Sequence, residues 1–162
     1  TALWLTHAHI DHAGGAAGLA RKWSVPIVGP HPGDQYWIDA LEDQGRMFGV
    51  AAAQPFTPDR WLADGDTLTL GECRVDVRHC PGHTPGHVVF HSAETQRCFV
   101  GDVLFAGSIG RTDFPGGDHE TLIASIVERL WPMGDDTVFI PGHGPESTFG
   151  RERRMNPYVG GT

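Results

Sequence analysis

Thr6-His7-Ala8-His9-Ile10-Asp11-His12 places four side chains able to bind a metal ion within a few residues of one another. The stretch follows the apolar run Ala2 to Leu5, which reads as a short buried strand that delivers its polar residues at its C-terminal end. In an extended segment alternate side chains share a face, so His7, His9 and Asp11 can converge, and a turn beginning near Asp11 can swing His12 to a neighbouring point. One stretch could thus serve two ions. Imidazoles combined with a carboxylate suit zinc, iron or manganese, whereas calcium or magnesium would call for oxygen donors throughout.

Just downstream, Gly14-Gly15 leads into an alanine-rich segment, Ala16 to Trp23, expected to be a short helix starting beside the histidine loop. Val25 to Val28 reads as a strand, with Pro26 restricting it to an edge or to the strand's first residues. Asp34 to Phe48, with Trp37, Leu41 and Phe48 at near-helical spacing, predicts one amphipathic helix; Gly49 to Arg60, with Pro55 and Pro58, reads as a loop. From Trp61 the period shifts to two. Leu68 and Leu70, then Cys73, Val75 and Val77, predict a hairpin turning near Gly71. Val88 to Phe90 and Cys98 to Val100 predict two further strands. Asp118 is placed to cap a helix carrying Leu122, Ile126, Leu130 and Trp131 on one face and ending at Pro132; Val138 to Ile140 is a last strand and Ser147 to Met155 a last helix.

Three of these strand ends repeat the opening pattern. His83 lies in Cys80-Pro81-Gly82-His83-Thr84-Pro85-Gly86-His87, whose prolines and glycines exclude a helix, so His83 and His87 cannot share a helical face. His83 reads as a ligand and His87 as a structural histidine opening the next strand. Cys80 and His83 form a C-x-x-H spacing, but the second pair that a structural zinc site would need is missing. Asp102 follows Phe99-Val100-Gly101, and a carboxylate, with two oxygens, can bridge two ions where a neutral imidazole cannot. His143 sits in Ile140-Pro141-Gly142-His143-Gly144-Pro145. The ligand set is thus His7, His9, Asp11, His12, His83, Asp102 and His143, which suits two ions with one open bridging position.

In this order and these contexts, together with Gly110-Arg111-Thr112-Asp113-Phe114, these residues resemble the metallo-β-lactamase superfamily, and more narrowly the compact bacterial glyoxalase-II-like hydrolases (hydroxyacylglutathione hydrolases). The resemblance runs through nearly the whole chain. It implies an α/β fold, the αβ/βα sandwich. It also implies one metal on His7, His9 and His83 and another on Asp11, His12 and His143, with Asp102 and a hydroxide between them. The activity implied is hydrolysis of a thioester such as S-lactoylglutathione, with Asp11 and Asp102 at the reacting centre and two divalent ions, zinc first, iron or manganese otherwise. Two departures stand out. The N-terminal strands that normally precede the metal motif are absent, so upstream sequence is expected; the helical C-terminal domain with which larger glyoxalase II enzymes hold glutathione is absent too. Lys22 is the chain's one lysine, so Arg111 is the best placed cation for an anionic substrate, unless a salt bridge with Asp113 occupies it.

Two rivals accompany this reading. Persulfide dioxygenases share the fold and would use His7, His83 and Asp102 as a single-iron site. A truncated, non-catalytic metal-binding domain would hold metal without turnover. Relatives with a cysteine at the place of Asp102, a glutamate for the second histidine, or an added nuclease domain fit less well.

Composition sets the remaining bounds. The 162 residues suffice for one domain, 1–162, with a real core. A net charge of -8 leaves no basic field for nucleic acid or an anionic membrane, and Arg151, Arg153 and Arg154 read as a solvated helix end. No apolar run approaches a membrane span, and three cysteines form no disulfide framework, which makes the cytoplasm the expected location; the small-molecule thioester partner is what the resemblance implies.

Overall fold

The computed structural model describes residues 1–161. Its elements are β1 (Leu3–Trp4), α1 (Ile10–Ala13), α2 (Ala16–Trp23), β2 (Ile27–Val28), α3 (Gln35–Asp39), α4 (Leu41–Phe48), β3 (Thr67–Leu70), β4 (Cys73–His79), β5 (Val88–Ser92), β6 (Arg97–Gly101), β7 (Leu104–Phe105), β8 (Ser108–Ile109), α5 (His119–Ser125), β9 (Val138–Pro141), β10 (Ser147–Thr148) and α6 (Phe149–Met155). The six-stranded sheet runs β10-β9-β6-β5-β4-β3, antiparallel except for the parallel pair β6 and β9. A second, two-stranded sheet pairs β1 and β2 in parallel.

Strand direction is what assembles the site. Because β4, β5 and β6 alternate and β9 runs with β6, strands β4, β6 and β9 all point the same way. Their C-terminal ends therefore release Cys80 to His87, Asp102 and His143 at one edge of the sheet. The end of β1 arrives there as well, where Val88 N donates to Thr6 O at 2.8 Å.

The period-two pattern of β5 explains its complete burial. Val89 packs with Val100, Leu122, Ile126 and Phe139 on the side covered by α5 and α6, while Val88 and Phe90 pack with Val28, Leu62 and Val77 on the other. Beyond them, β1, β2 and α1 to α4 close around Leu5, Trp37, Ile38 and Leu41. The layers are thus helices, sheet, small sheet, helices, the arrangement the sequence resemblance implied. Burial of these side chains contributes about 1.5–3 kcal/mol each.

Several elements differ from expectation. The expected single helix over Asp34 to Phe48 is broken: Pro32–Asp34 form a 3₁₀ turn, and Ala40 leaves helical geometry between α3 and α4. Trp37, Ile38 and Leu41 are buried on both sides of the break, whereas Phe48 at the end of α4 is exposed. After Asp118, whose carboxylate accepts from Thr121 N at 2.8 Å, regular helix lasts only through Ser125. It widens to a π turn over Ile126–Leu130 and tightens to 3₁₀ over Trp131–Met133, with Leu130 and Trp131 still buried. The strand expected from Val25 starts at Ile27, and the helix expected from Ser147 starts at Phe149, because Ser147 and Thr148 pair with β9 as β10. The β7–β8 hairpin was not expected.

Candidate metal centre

The chain leaves β1 extended through His9 and turns helical at Ile10, whose N–H donates to Gln44 Oε1 at 3.2 Å. The alternation expected of an extended segment thus holds for His7 and His9 but not for Asp11. His7 and His9 converge with His83, whereas Asp11, already on α1, joins His12 and His143. Three groups of donors result, His7-His9-His83, His7-His12-Asp102 and Asp11-His12-His143, and within each group one donor atom per residue lies within 4.8 Å of the others.

All seven expected ligands therefore meet in one place. Asp102 lies between the outer groups: Oδ1 is 3.3 Å from His12 Nε2, and Oδ2 is 3.5 Å from His143 Nε2 and 3.7 Å from His83 Nε2. His143 Nε2 also lies 3.0 Å from Asp11 Oδ2. Two glycines make this approach feasible. A Cβ on Gly142 would collide with Asp102 Oδ1 and with His12, and Gly101, at φ +49°, would press a Cβ to 2.7 Å from His87 Nε2 and Thr6 Oγ1.

The donors are held by their far sides. His83 Nδ1 donates to the Arg111 carbonyl at 2.8 Å, which turns the Nε2 lone pair inward, and His7 Nδ1 is 3.1 Å from Thr6 Oγ1. His87 accepts from Asp102 N through Nε2 at 3.0 Å and is fully buried, as expected of a structural histidine. Asp34 was missed. Its buried carboxylate accepts from Ala8 N at 2.9 Å, Thr84 Oγ1 at 2.9 Å and Gly86 N at 2.6 Å, and so ties the loop of His7 and His9 to the loop of His83. Burial pushes its pKa up, against the pull of those three hydrogen bonds.

Burial also governs the histidines. It drives His7 well below the usual imidazole range, with its histidine neighbours adding to the effect, and brings His9 down to about 4. It lowers His83 too, partly offset by the Arg111 carbonyl. His12 goes the other way: burial opposes its charge, but Asp102 and Asp11 raise its pKa. Asp102 is disfavoured as an anion by burial, yet His12, His83 and His143 together hold its pKa below the usual carboxylate range.

Neutral His7, His9 and His83 beside an ionised Asp102 are a donor set for a divalent cation. Among the described residues, buried His7 Nε2, His9 Nε2 and His83 Nε2 have no hydrogen-bond partner, while His12 Nε2 and Asp102 Oδ1 face each other at 3.3 Å. Leaving so many buried polar atoms without partners is costly, and a metal ion satisfies them together. These residues fit the group that the sequence implied. His9, Asp11, His83, Asp102 and His143 form the floor of a cleft of about 950 Å³, also lined by Trp37, Phe105, Arg111 and Phe114. Arg111 holds Asp113 through two hydrogen bonds of 2.7 Å and lies 4.0 Å above the Phe114 ring, so the salt bridge, one of its two expected roles, is formed.

Comparison with known proteins agrees with this geometry. Residues 1–143 match the family model of the metallo-beta-lactamase superfamily. The chain is 46% identical to hydroxyacylglutathione hydrolase GloC of Haemophilus influenzae, an alignment covering 97% of this chain and 74% of that protein. It is 34% identical to the mitochondrial persulfide dioxygenase ETHE1 of Homo sapiens, over 94% of this chain and 54% of that one. Among solved structures it is similar to the BLEG-1 B3 metallo-beta-lactamase, with a TM-score of 0.88, 38% identity and 99% and 77% of the two chains covered. It is also similar to TTHA1623 in a di-iron-bound form, with a TM-score of 0.86, 41% identity and coverage of 97% and 76%. The buried donors, the sheet that carries them and these matches together establish that the chain belongs to the metallo-β-lactamase superfamily, whose members bind divalent metals.

Proposed function

We propose that the chain is a thioester hydrolase of the glyoxalase II type, with S-lactoylglutathione as its reference substrate. The observation that carries this reading is the pair of donor groups, His7-His9-His83 and Asp11-His12-His143, meeting at Asp102 on the floor of an open cleft. The first group would hold one divalent ion and the second another, with Asp102 shared; zinc, iron and manganese all suit these donors. When bound, two such ions lower the pKa of a coordinated water to about 7 and polarise a carbonyl oxygen.

The protein's own residues do the rest. Hydrolysis forms one C–O bond from water and breaks the C–S bond, releasing a carboxylate and a thiol. Asp11, half-exposed at the cleft and 3.0 Å from His143, is placed to accept a hydrogen bond from the attacking water and orient it. Asp102, ionised, balances the positive charge of the centre. Trp37 and Phe114 stand edge-on to His9, at ring-centroid distances of 4.4 and 5.3 Å, and keep bulk water from that side. Similarity to GloC supports the substrate class.

A single-iron persulfide dioxygenase is the second reading, supported by the 34% identity to ETHE1 and by the 3.7 Å approach of His83 to Asp102. Metal content of protein purified without added metal, measured by inductively coupled plasma mass spectrometry and followed by assays with S-lactoylglutathione and glutathione persulfide, separates the two. Close to two ions per chain with thiol release independent of oxygen is the expected result. One iron per chain with oxygen consumed on the persulfide would replace it.

A further inference from the structure

The cleft above the candidate metal centre is walled by apolar side chains that face water. On the side of α3, α4 and the turn after them, Tyr36, Met47, Phe48 and Val50 line it while being 60, 77, 61 and 41% exposed. Phe105 and Phe114 line it as well. Singly exposed apolar residues are ordinary, but several gathered on the wall of one cleft mark a surface that is covered in use. This wall is continuous with His9, Asp11 and His143, so what covers it is joined to the group that reacts there.

The charges of the cleft narrow the occupant. Arg111 is the one lysine or arginine lining it among the described residues, and its guanidinium already makes two hydrogen bonds to Asp113 and lies against the Phe114 ring. Asp43, also on the wall, is paired with Arg46. Asp11 and Asp102 add negative charge at the floor. The two carboxylates of a glutathione moiety would thus find no unengaged cation away from the metal centre, whereas a hydrocarbon chain would find a matching surface.

Resting on the thioesterase reading above, we infer that the preferred substrate is a thioester with an extended apolar chain, lying along Tyr36, Met47 and Phe48, rather than a glutathione conjugate. A chain on that wall exchanges water for side-chain contact methylene by methylene, so selectivity grows with length. Half-burial of each methylene corresponds to about a twofold gain in kcat/KM, roughly 60-fold from two carbons to eight.

The test uses the metal-loaded protein and thioesters of N-acetylcysteamine, a neutral thiol, with acyl chains of two to eight carbons, against S-lactoylglutathione. Thioacetates lengthened on the thiol side form a parallel series. Calorimetry with the matching ketones, in which CH₂ replaces sulfur, measures binding without turnover. The expected result is a rise in kcat/KM along one of the two series and tighter ketone binding with length, both flattened in Met47→Ser and Phe48→Ser. A rate independent of length in both series, S-lactoylglutathione outrunning the eight-carbon thioester, or ketone affinity independent of length would overturn the inference. Length-dependent ketone binding with no thioester hydrolysed would leave the apolar specificity standing and remove the thioesterase reading alone.

Discussion

The two halves of the candidate centre are built on opposite principles. His7, His9 and His83 are almost wholly buried, braced through Thr6 and the Arg111 carbonyl, and kept neutral by the environment. Asp11 and His143 are about half exposed, with side-chain accessibilities of 52 and 56%, and His12 is drawn toward its charged form by the carboxylates beside it. Rigid, desolvated donors are prepared before a ligand arrives, whereas exposed ones must be ordered when it binds. On the proposed two-ion reading, the first half would therefore be the tighter site and the second the one that exchanges with solution.

Substitutions can break that distinction. His83→Ala removes a donor from the tight group and leaves the Arg111 carbonyl unpaired; loss of its ion should cost several kcal/mol of transition-state stabilisation, about a thousandfold or more in kcat/KM. His143→Ala should keep one ion per chain and lose roughly ten- to a hundredfold in activity, the smaller effect that follows when one site stays filled. Metal analysis and steady-state kinetics on both variants decide the matter, and equal losses would erase the difference between the halves.

Asp34→Asn sharpens the comparison without touching a donor. An amide in place of the carboxylate turns an N–H toward one of the three donors that Asp34 now accepts from, loosening the link between the His7–His9 loop and the His83 loop. Affinity at the buried group should fall about ten- to a hundredfold by competition with a chelator, with less change at the exposed group.

Acid should act on the metal-free protein with opposite sign in the two halves. His9 has its folded pKa near 4 against 6.5 unperturbed, so the unfolded chain takes up a proton first as the pH falls, and the stability it contributes above 6.5 drains away between about 6.5 and 4. His7 and His83 shift in the same direction. His12, with a raised pKa, contributes stability below 6.5 that is lost as the pH rises through its folded value. The imidazoles whose pKa is lowered, buried His87 among them, outnumber the one whose pKa is raised, and the apoprotein's Tm should drop by about 10 °C on acidification across that window. A Tm that stays level would mean that the buried imidazoles already carry protons.

The donors were legible in the sequence because four of them fall in one short run after an apolar strand and the other three, His83, Asp102 and His143, each follow a glycine just beyond an apolar strand. Their division into two groups was legible only through the family resemblance, since spacing alone left Asp11 free to side with His7. The helix that begins at Ile10 decides it, and its first N–H is met by Gln44, far along the chain. Asp34 escaped notice because an aspartate after Pro-Gly looks like any turn residue; its role exists only once Ala8, Thr84 and Gly86 surround it. The break at Ala40 carries no proline or glycine, and the two-residue strands β7 and β8 are too short to show a period. Glu152 and Asn156 on and beside α6 pin that hairpin, with Gly107 N donating to Glu152 Oε2 at 2.8 Å and Asn156 Nδ2 to Ser108 O at 3.0 Å.

Because β4, β6 and β9 run in one direction, the donors come from chain segments as far apart as residues 7 and 143. An ion held among them works as a staple: it can be bound only when the sheet is assembled, and its binding free energy is added to the stability of every strand at once. Damage in a place that touches no donor, such as a truncated Val89 or Phe139 in the core, should then be partly reversed by metal in excess. For such variants, the abundance of folded protein would follow the supply of metal around it.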